Sequence, residues 1–251
     1  MTNLQLYNAI FSRRSIRKYD MTPLNSTLMA GIKEYAASAK PLISDIKYEF
    51  AFLGTDDVKN LLPIKAPHYI CLYSEKKDGY LMNAGYLLQQ VDLYLSLSNF
   101  ASCWLGMAKP TKDVPKIKNG LEFVIMIAFG NTDEKIHRAS VTEFNRKSLS
   151  TISSITGIDD LLEPVRLAPS ASNTQSWYFS GNADEIIVSR EHLSILKAPL
   201  YGRMNQIDIG IALCHLGLSL EHSGKTATYD FQKATAPSGH EFMAKVNVRS
   251  I

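Results

Sequence analysis

The sequence predicts an α+β fold laid out as two similar halves, residues 1–150 and 151–251, with a mixed β-sheet and a buried central helix in each. Three observations predict it. The stretches 81–106 and 204–222 are apolar around most of their circumference, as helices buried in the middle of a domain are. Short runs rich in β-branched and aromatic residues lie before and after both stretches. Finally, 83-NAGYLLQQVDLYLSL-97 echoes 208-DIGIALCHLGLSLEH-222. Each begins with a small polar residue two before a glycine and runs on as an apolar helix, and such repetition sets the frame for the whole fold.

The elements follow in order. Thr2 can cap a helix over 2–11, where Leu6, Ile10 and Phe11 share a face. A second helix fits 26–39, with Leu28, Ile32, Tyr35, Ala36 and Ala39 at helical spacing and Pro41 closing it. Strands fit 47–54 and 68–74, and the first central helix follows, with Gly106 in its exit loop. The continuous apolar run 121–130 reads as a fully buried strand ended by Gly130 and Asn131. The order then starts again: a helix at 158–167, a polar loop 168–176, strands at 177–180 and 185–189, the second central helix, and strands at 227–233 and 242–248.

With 251 residues, 45% of them hydrophobic and 20% charged, the chain can fill a core and is not disordered as a whole. Its net charge is 27 − 24 = +3, too small for the dense basic face of a nucleic-acid binder. Cys71, Cys103 and Cys214 are few, odd in number and without metal-ligand spacing, which predicts reduced thiols and a cytoplasmic protein. The N-terminus places its charge after its apolar residues, unlike a signal peptide, and no apolar run approaches the ~18 residues of a membrane span. His68, His215, His222 and His240 lack metal-ligand spacing and read as structural histidines, so no metal site is expected. In 217-GLSLEHSGKT-226 six residues lie between Gly217 and Gly224, and the segment follows a helix, which does not suit a phosphate loop.

Three segments carry chemistry. In 13-RRSIRKY-19, Arg13, Arg14, Arg17 and Lys18 surround the Ser15 hydroxyl. Guanidinium forks and a hydroxyl suit phosphate oxygens, and a solvated basic face is the alternative. In 168-APSASNTQSW-177, backbone N–H groups, hydroxyls and the amides of Asn173 and Gln175 could hydrogen-bond a heterocycle rich in carbonyls and ring nitrogens. An ordinary connecting loop is the alternative there. In 102-SCWLGMA-108, Gly106 either lets a ligand approach the backbone or caps the helix.

Together 13-RRSIR-17, 168-APSASNTQSW-177 and 103-CWLG-106 resemble the FMN-dependent nitroreductase family, and 146-RKSL-149 is similar to the basic segment that family carries after its last core strand. Two departures stand out. Ser176 replaces the family's usual proline, and 168 − 13 = 155 positions separate two motifs that are ordinarily close. Where the A-P-S motif would be expected stands 36-AASAKPLIS-44, without its Asn and Gln. The family is normally an intertwined homodimer with FMN at the interface, so this chain resembles both protomers fused and shortened.

The resemblance implies a nitroreductase-like fold and one complete FMN site per chain, for which a homodimer is allowed but not required. It gives Arg13, Arg14, Ser15 and Arg17 to the FMN phosphate and ribityl chain, with Arg146 and Lys147 completing the phosphate pocket. Pro169, Ser170, Asn173 and Gln175 would lie along the isoalloxazine, and the backbone at Leu105 and Gly106 would approach its reactive nitrogen. The implied function is oxidoreduction, with electrons from NADH or NADPH passed to nitro compounds, quinones or similar small-molecule acceptors by ping-pong hydride transfer. The cofactor carries that chemistry, so no catalytic acid or base is expected from the protein. A different flavin reaction on the same fold, or non-catalytic flavin binding, are the alternative readings.

Overall fold

The computed structural model describes residues 2–193 and 198–250. The chain forms two compact units, one of residues 12–139 and one joining residues 1–11 to 140–251. These boundaries differ from the division at 150: helix α1 (Asn3–Ile10) and residues 140–150 both group with the C-terminal part of the chain. Thr2 caps α1 as expected: its hydroxyl accepts the Gln5 N–H, and the Gln5 side chain accepts the Thr2 N–H at 2.9 Å.

The unit of residues 12–139 contains α2 (Ser26–Ser38), β1 (Tyr48–Gly54), β2 (Val58–Asn60), β3 (His68–Ser74), α3 (Tyr80–Leu97), β4 (Ala101–Leu105), β5 (Ala108–Pro110), β6 (Ile117–Lys118) and β7 (Leu121–Gly130). Its main sheet runs β1-β3-β7-β4, all antiparallel, with β6 on the edge of β7 and a separate β2–β5 ribbon. Tyr69, Cys71, Tyr73, Met126, Ala128, Cys103 and Leu105 form one buried cluster with Ile64, Ala66 and Ala108. Their neighbours Ile70, Leu72, Ile127 and Phe129 are buried too, and α3 packs on β3, β4 and β7. Strand β7 therefore has both faces covered, which is why its sequence shows no alternation.

The first central helix is shorter than the sequence predicts. It ends at Leu97 instead of continuing to 106. Asn99 turns left-handed (φ +59°), and the Phe100 N–H reaches back to the Leu95 carbonyl at 2.9 Å, the hydrogen-bond pattern of a helix stop. The apolar residues beyond it form β4, whose backbone pairs with β7 from Ala101 to Leu105. Gly106 therefore follows a strand and lies in the exposed turn between β4 and β5. Helical and strand patterns cannot be told apart when every position is apolar.

The other unit adds α4 (Leu149–Ile152), α5 (Asp159–Arg166), β8 (Trp177–Gly181), β9 (Glu185–Glu191), α6 (Ala198–His222), β10 (Lys225–Asp230) and β11 (His240–Ser250) to α1. Its sheet runs β10-β11-β9-β8, again antiparallel throughout. Helix α6 packs on α1, α5 and this sheet, and Tyr7 of α1 stacks on His222 with ring centres 3.9 Å apart.

The two sheets share one plan. Counted along the chain, the strands of each main sheet lie in the order first, second, fourth, third, and the long buried helix connects the second strand to the third. The echoing segments 83–97 and 208–222 fall on α3 and α6, the two helices that occupy this place. Cys71, Cys103 and Cys214 are buried thiols, and burial pushes Cys71 up to about 12. Among the described residues no helix is long and apolar enough to cross a membrane.

Candidate functional site

The basic segment lies in the unit of residues 12–139. Its backbone runs beside β4 and the 137–138 segment: Ser15 bridges Ser102, Arg13 bridges His137, and the Ile16 N–H donates to the Ser102 carbonyl at 2.9 Å. Arg13 is 2% exposed. Its Nε donates to Asp92 Oδ2 at 2.5 Å and its Nη2 to Ser15 Oγ at 2.9 Å. The other Asp92 oxygen accepts the Ser102 hydroxyl at 2.6 Å, and the Arg138 guanidinium donates to the Arg13 carbonyl. Arg13 thus anchors the segment to α3 through a buried ion pair. Such a pair is costly to break, because the surviving charge stays buried.

Arg14 is half-buried and Arg17 exposed, and among the described residues neither guanidinium has a hydrogen bond or ion pair. Leu105 is buried at the end of β4. Burial raises the Cys103 thiol above its usual range, while Arg17 and Arg13 pull it back down. Burial, reinforced by Cys103 and Asp92, also raises the Tyr19 phenol, whose hydroxyl donates to the Ile16 carbonyl at 2.7 Å.

The polar loop lies in the other unit, between α5 and β8. Ser170 is extended, residues 171–173 form a single 3-10 turn, and Ser172, Asn173 and Gln175 all adopt positive φ, at 50°, 57° and 48°. Left-handed backbone at three non-glycine residues is strained and must be held by its surroundings. Arg146 and Lys147 hold it. Arg146 donates to the Ala168 carbonyl at 3.0 Å, the Leu167 carbonyl at 3.3 Å and Asn173 Oδ1 at 2.8 Å. The Lys147 N–H donates to Gln175 Oε1 at 2.7 Å, and its ammonium donates to the Gln175 carbonyl at 3.1 Å and to Glu191 at 2.8 Å. The Gln175 amide donates to the Asn173 carbonyl at 3.0 Å, and Ser170 Oγ accepts the Gln175 N–H at 3.0 Å. Pro169 is buried where the loop begins.

Sequence-predicted residues therefore gather in two groups: Arg13, Arg14, Ser15, Arg17, Leu105 and Gly106 in one unit, and Arg146, Lys147, Pro169, Ser170, Asn173 and Gln175 in the other. Arg146 and Lys147 are engaged with the polar loop of their own unit. Sequence reasoning missed two buried carboxylates, Asp92 and Asp208. Asp208 accepts the Ala171 N–H with both oxygens, each at 3.1 Å, and burial pushes it up to about 8 against the pull of that N–H. The signal for Asp208 was available, since it opens the echoed segment opposite Asn83. Asp92 carried none, being one of several polar residues scattered through α3.

Paired antiparallel sheets, each with a buried helix, together with the basic segment and the polar loop, define a nitroreductase-type fold. The model of the family described as "Putative TM nitroreductase" matches residues 5–220, and the chain belongs to that family. Among solved structures, a "putative nitroreductase" from Thermotoga maritima MSB8 is 19% identical, with 98% of this chain and 95% of that chain covered and a TM-score of 0.63. An FMN-dependent nitroreductase from Clostridium difficile R20291 is 19% identical over 53% of this chain and 89% of that one, with a TM-score of 0.42. A nitroreductase with bound FMN from Desulfitobacterium hafniense DCB-2 is 13% identical over 59% of this chain and 100% of that one, also at 0.42. No curated protein matches the chain.

Proposed function

We propose that the protein is an FMN-dependent oxidoreductase that takes electrons from NADH or NADPH and passes them to nitro compounds, quinones or similar acceptors. The observation that carries this reading is the loop of a nitroreductase-family chain in which Thr174 Oγ1, Ser176 Oγ and Trp177 Nε1 are buried without hydrogen-bond partners among the described residues. Buried polar atoms are nearly always paired, so these three, close in sequence beside a held, left-handed turn, support a polar ligand or ordered water there. The residues fit FMN. Arg14 and Arg17, without a hydrogen bond or ion pair among the described residues, offer guanidinium forks for a terminal phosphate, and the Arg13–Asp92 pair fixes the backbone that carries them. Ser170, Asn173 and Gln175 belong to the loop assigned to the flavin ring, which Arg146 and Lys147 hold in shape. At Gly106 the turn after β4 has no side chain to block a close approach.

Bound FMN would supply the two-electron hydride chemistry. The chain's own residues bind it, orient it and leave one face for the nicotinamide and the acceptor in turn, and no side chain is assigned as acid or base. Alternating use of one face predicts ping-pong kinetics with parallel double-reciprocal lines. The test is the visible spectrum of the purified protein after incubation with FMN, followed by anaerobic addition of NADH or NADPH. Retained flavin that bleaches on addition supports the reading. A protein that takes up no FMN overturns it.

A further inference from the structure

The loop motif does not include the side chain that ties the loop to the central helix. Asp208 of α6 is 3% exposed, and its two carboxyl oxygens straddle the single N–H of Ala171. Ala171 is where the chain leaves the extended conformation of Ser170 and enters the turn that leads to left-handed Ser172, Asn173 and Gln175. A turn of that kind keeps its shape only if both ends are fixed. Arg146 and Lys147 fix the end at Asn173 and Gln175, and Asp208 fixes the end at Ala171.

The other unit contains the same tie, made by an amide. Asn83, which the sequence echo places opposite Asp208, stands in the first turn of α3, and its Oδ1 accepts the N–H groups of Leu42 at 2.8 Å and Ile43 at 3.0 Å. Those two residues lie between α2 and β1, as Ala171 lies between α5 and β8. A buried side chain on the central helix that grips the loop before the first strand is therefore part of the repeated plan. The residue that does it is an amide where the loop has lost its Asn and Gln, and a carboxyl where the loop keeps them.

We propose that Asp208 is a positioning residue for the flavin ring: by holding the Ala171 N–H it sets Ser170, Asn173 and Gln175 in the conformation that receives the isoalloxazine. This rests on the FMN reading above. Asp208 touches no ligand itself and acts only through the loop.

The test compares wild type with Asp208→Asn, which keeps an acceptor, and Asp208→Leu, which fills the space without one. Asp208→Ala replaces the Leu variant if that protein does not fold. Amide exchange across 169–176 is measured without flavin, and FMN affinity by quenching of flavin fluorescence. Loss of one hydrogen bond to a carboxyl predicts at least about tenfold faster exchange at Ala171 and about tenfold weaker FMN binding in the Leu variant. The visible band of its remaining bound FMN should shift as well. The Asn variant should stay within about threefold of wild type in both measures, with the wild-type spectrum. A Leu variant with wild-type FMN affinity, or with wild-type exchange at Ala171, overturns the proposal while the FMN reading stands. A wild-type protein that takes up no FMN overturns both, and faster exchange in the Leu variant would then still locate the tie.

Discussion

Arg13 and Arg17 stand four positions apart in one basic run, yet Arg13 is buried against Asp92 and Arg17 faces solvent. Replacing them should therefore do different things. Arg13→Ala leaves the Asp92 carboxylate buried and unpaired, which costs about 3–5 kcal/mol, or roughly 6–20 °C in Tm for a protein of this size. Arg17→Ala should leave Tm nearly unchanged and weaken FMN, but not riboflavin, by about 10- to 150-fold. Equal weakening of both ligands would show that Arg17 does not read the phosphate. The sequence displayed the charges but not this division of roles, because Arg13 finds its partner 79 residues away. Asp208 carries a pH dependence. Its folded-state value near 8, against an ordinary 3.8, means that the folded protein holds a proton the unfolded chain releases. Stability from this group is complete below about pH 4 and falls as pH rises towards 8. Urea midpoints of Asp208→Asn should therefore gain on those of wild type across that window, and parallel curves would rule the effect out.

At the scale of the element, the 168–176 loop was legible as a polar, chemistry-bearing segment, but its internal hydrogen bonding was not. Asn173 and Gln175 read as groups aimed at a ligand, whereas each also bonds within the loop and to residues 145–147. Arg146→Ala removes donors to Ala168 and Asn173 and should speed amide exchange across the loop by roughly 10- to 150-fold, the equivalent of one charged hydrogen bond. Arg146→Lys should not restore protection, since a point charge cannot span carbonyl and amide as the planar fork does. Exchange at the wild-type rate in the Ala variant would show that the loop holds itself. Elsewhere, elements with clear periodicity or caps were legible nearly to the residue, as with α2 at 26–38 and β3 at 68–74. The short pieces α4, β2, β5 and β6 were not, since two to four residues carry no period, and the 81–106 run hid a helix and a strand in one apolar stretch.

For the whole molecule, the fifteen-residue echo was the visible trace of a strand order shared by both sheets. The basic motif and the complete A-P-S loop each occur once in the sequence. Titration should accordingly saturate at one FMN per chain, and a stoichiometry of two would mean that the second half-motif, 36–44, still binds. The place where the units divide was not legible. It depends on α1 packing against α6, a contact between segments nearly two hundred residues apart that leaves no local mark.

That contact also sets a timetable for synthesis. Helix α1 leaves the ribosome nearly two hundred residues ahead of α6. At about 5–20 residues per second, roughly 10–40 s pass before Leu6, Ala9 and Ile10 can meet the helix that covers them. An eight-residue helix is too short to persist alone in water. Residues 12–139 should thus be complete while residues 3–10 wait, without a partner, for α6. Nascent chains stalled before α6 should lose those residues to protease and keep 12–139 intact, and early protection of the N-terminus would refute that sequence of events.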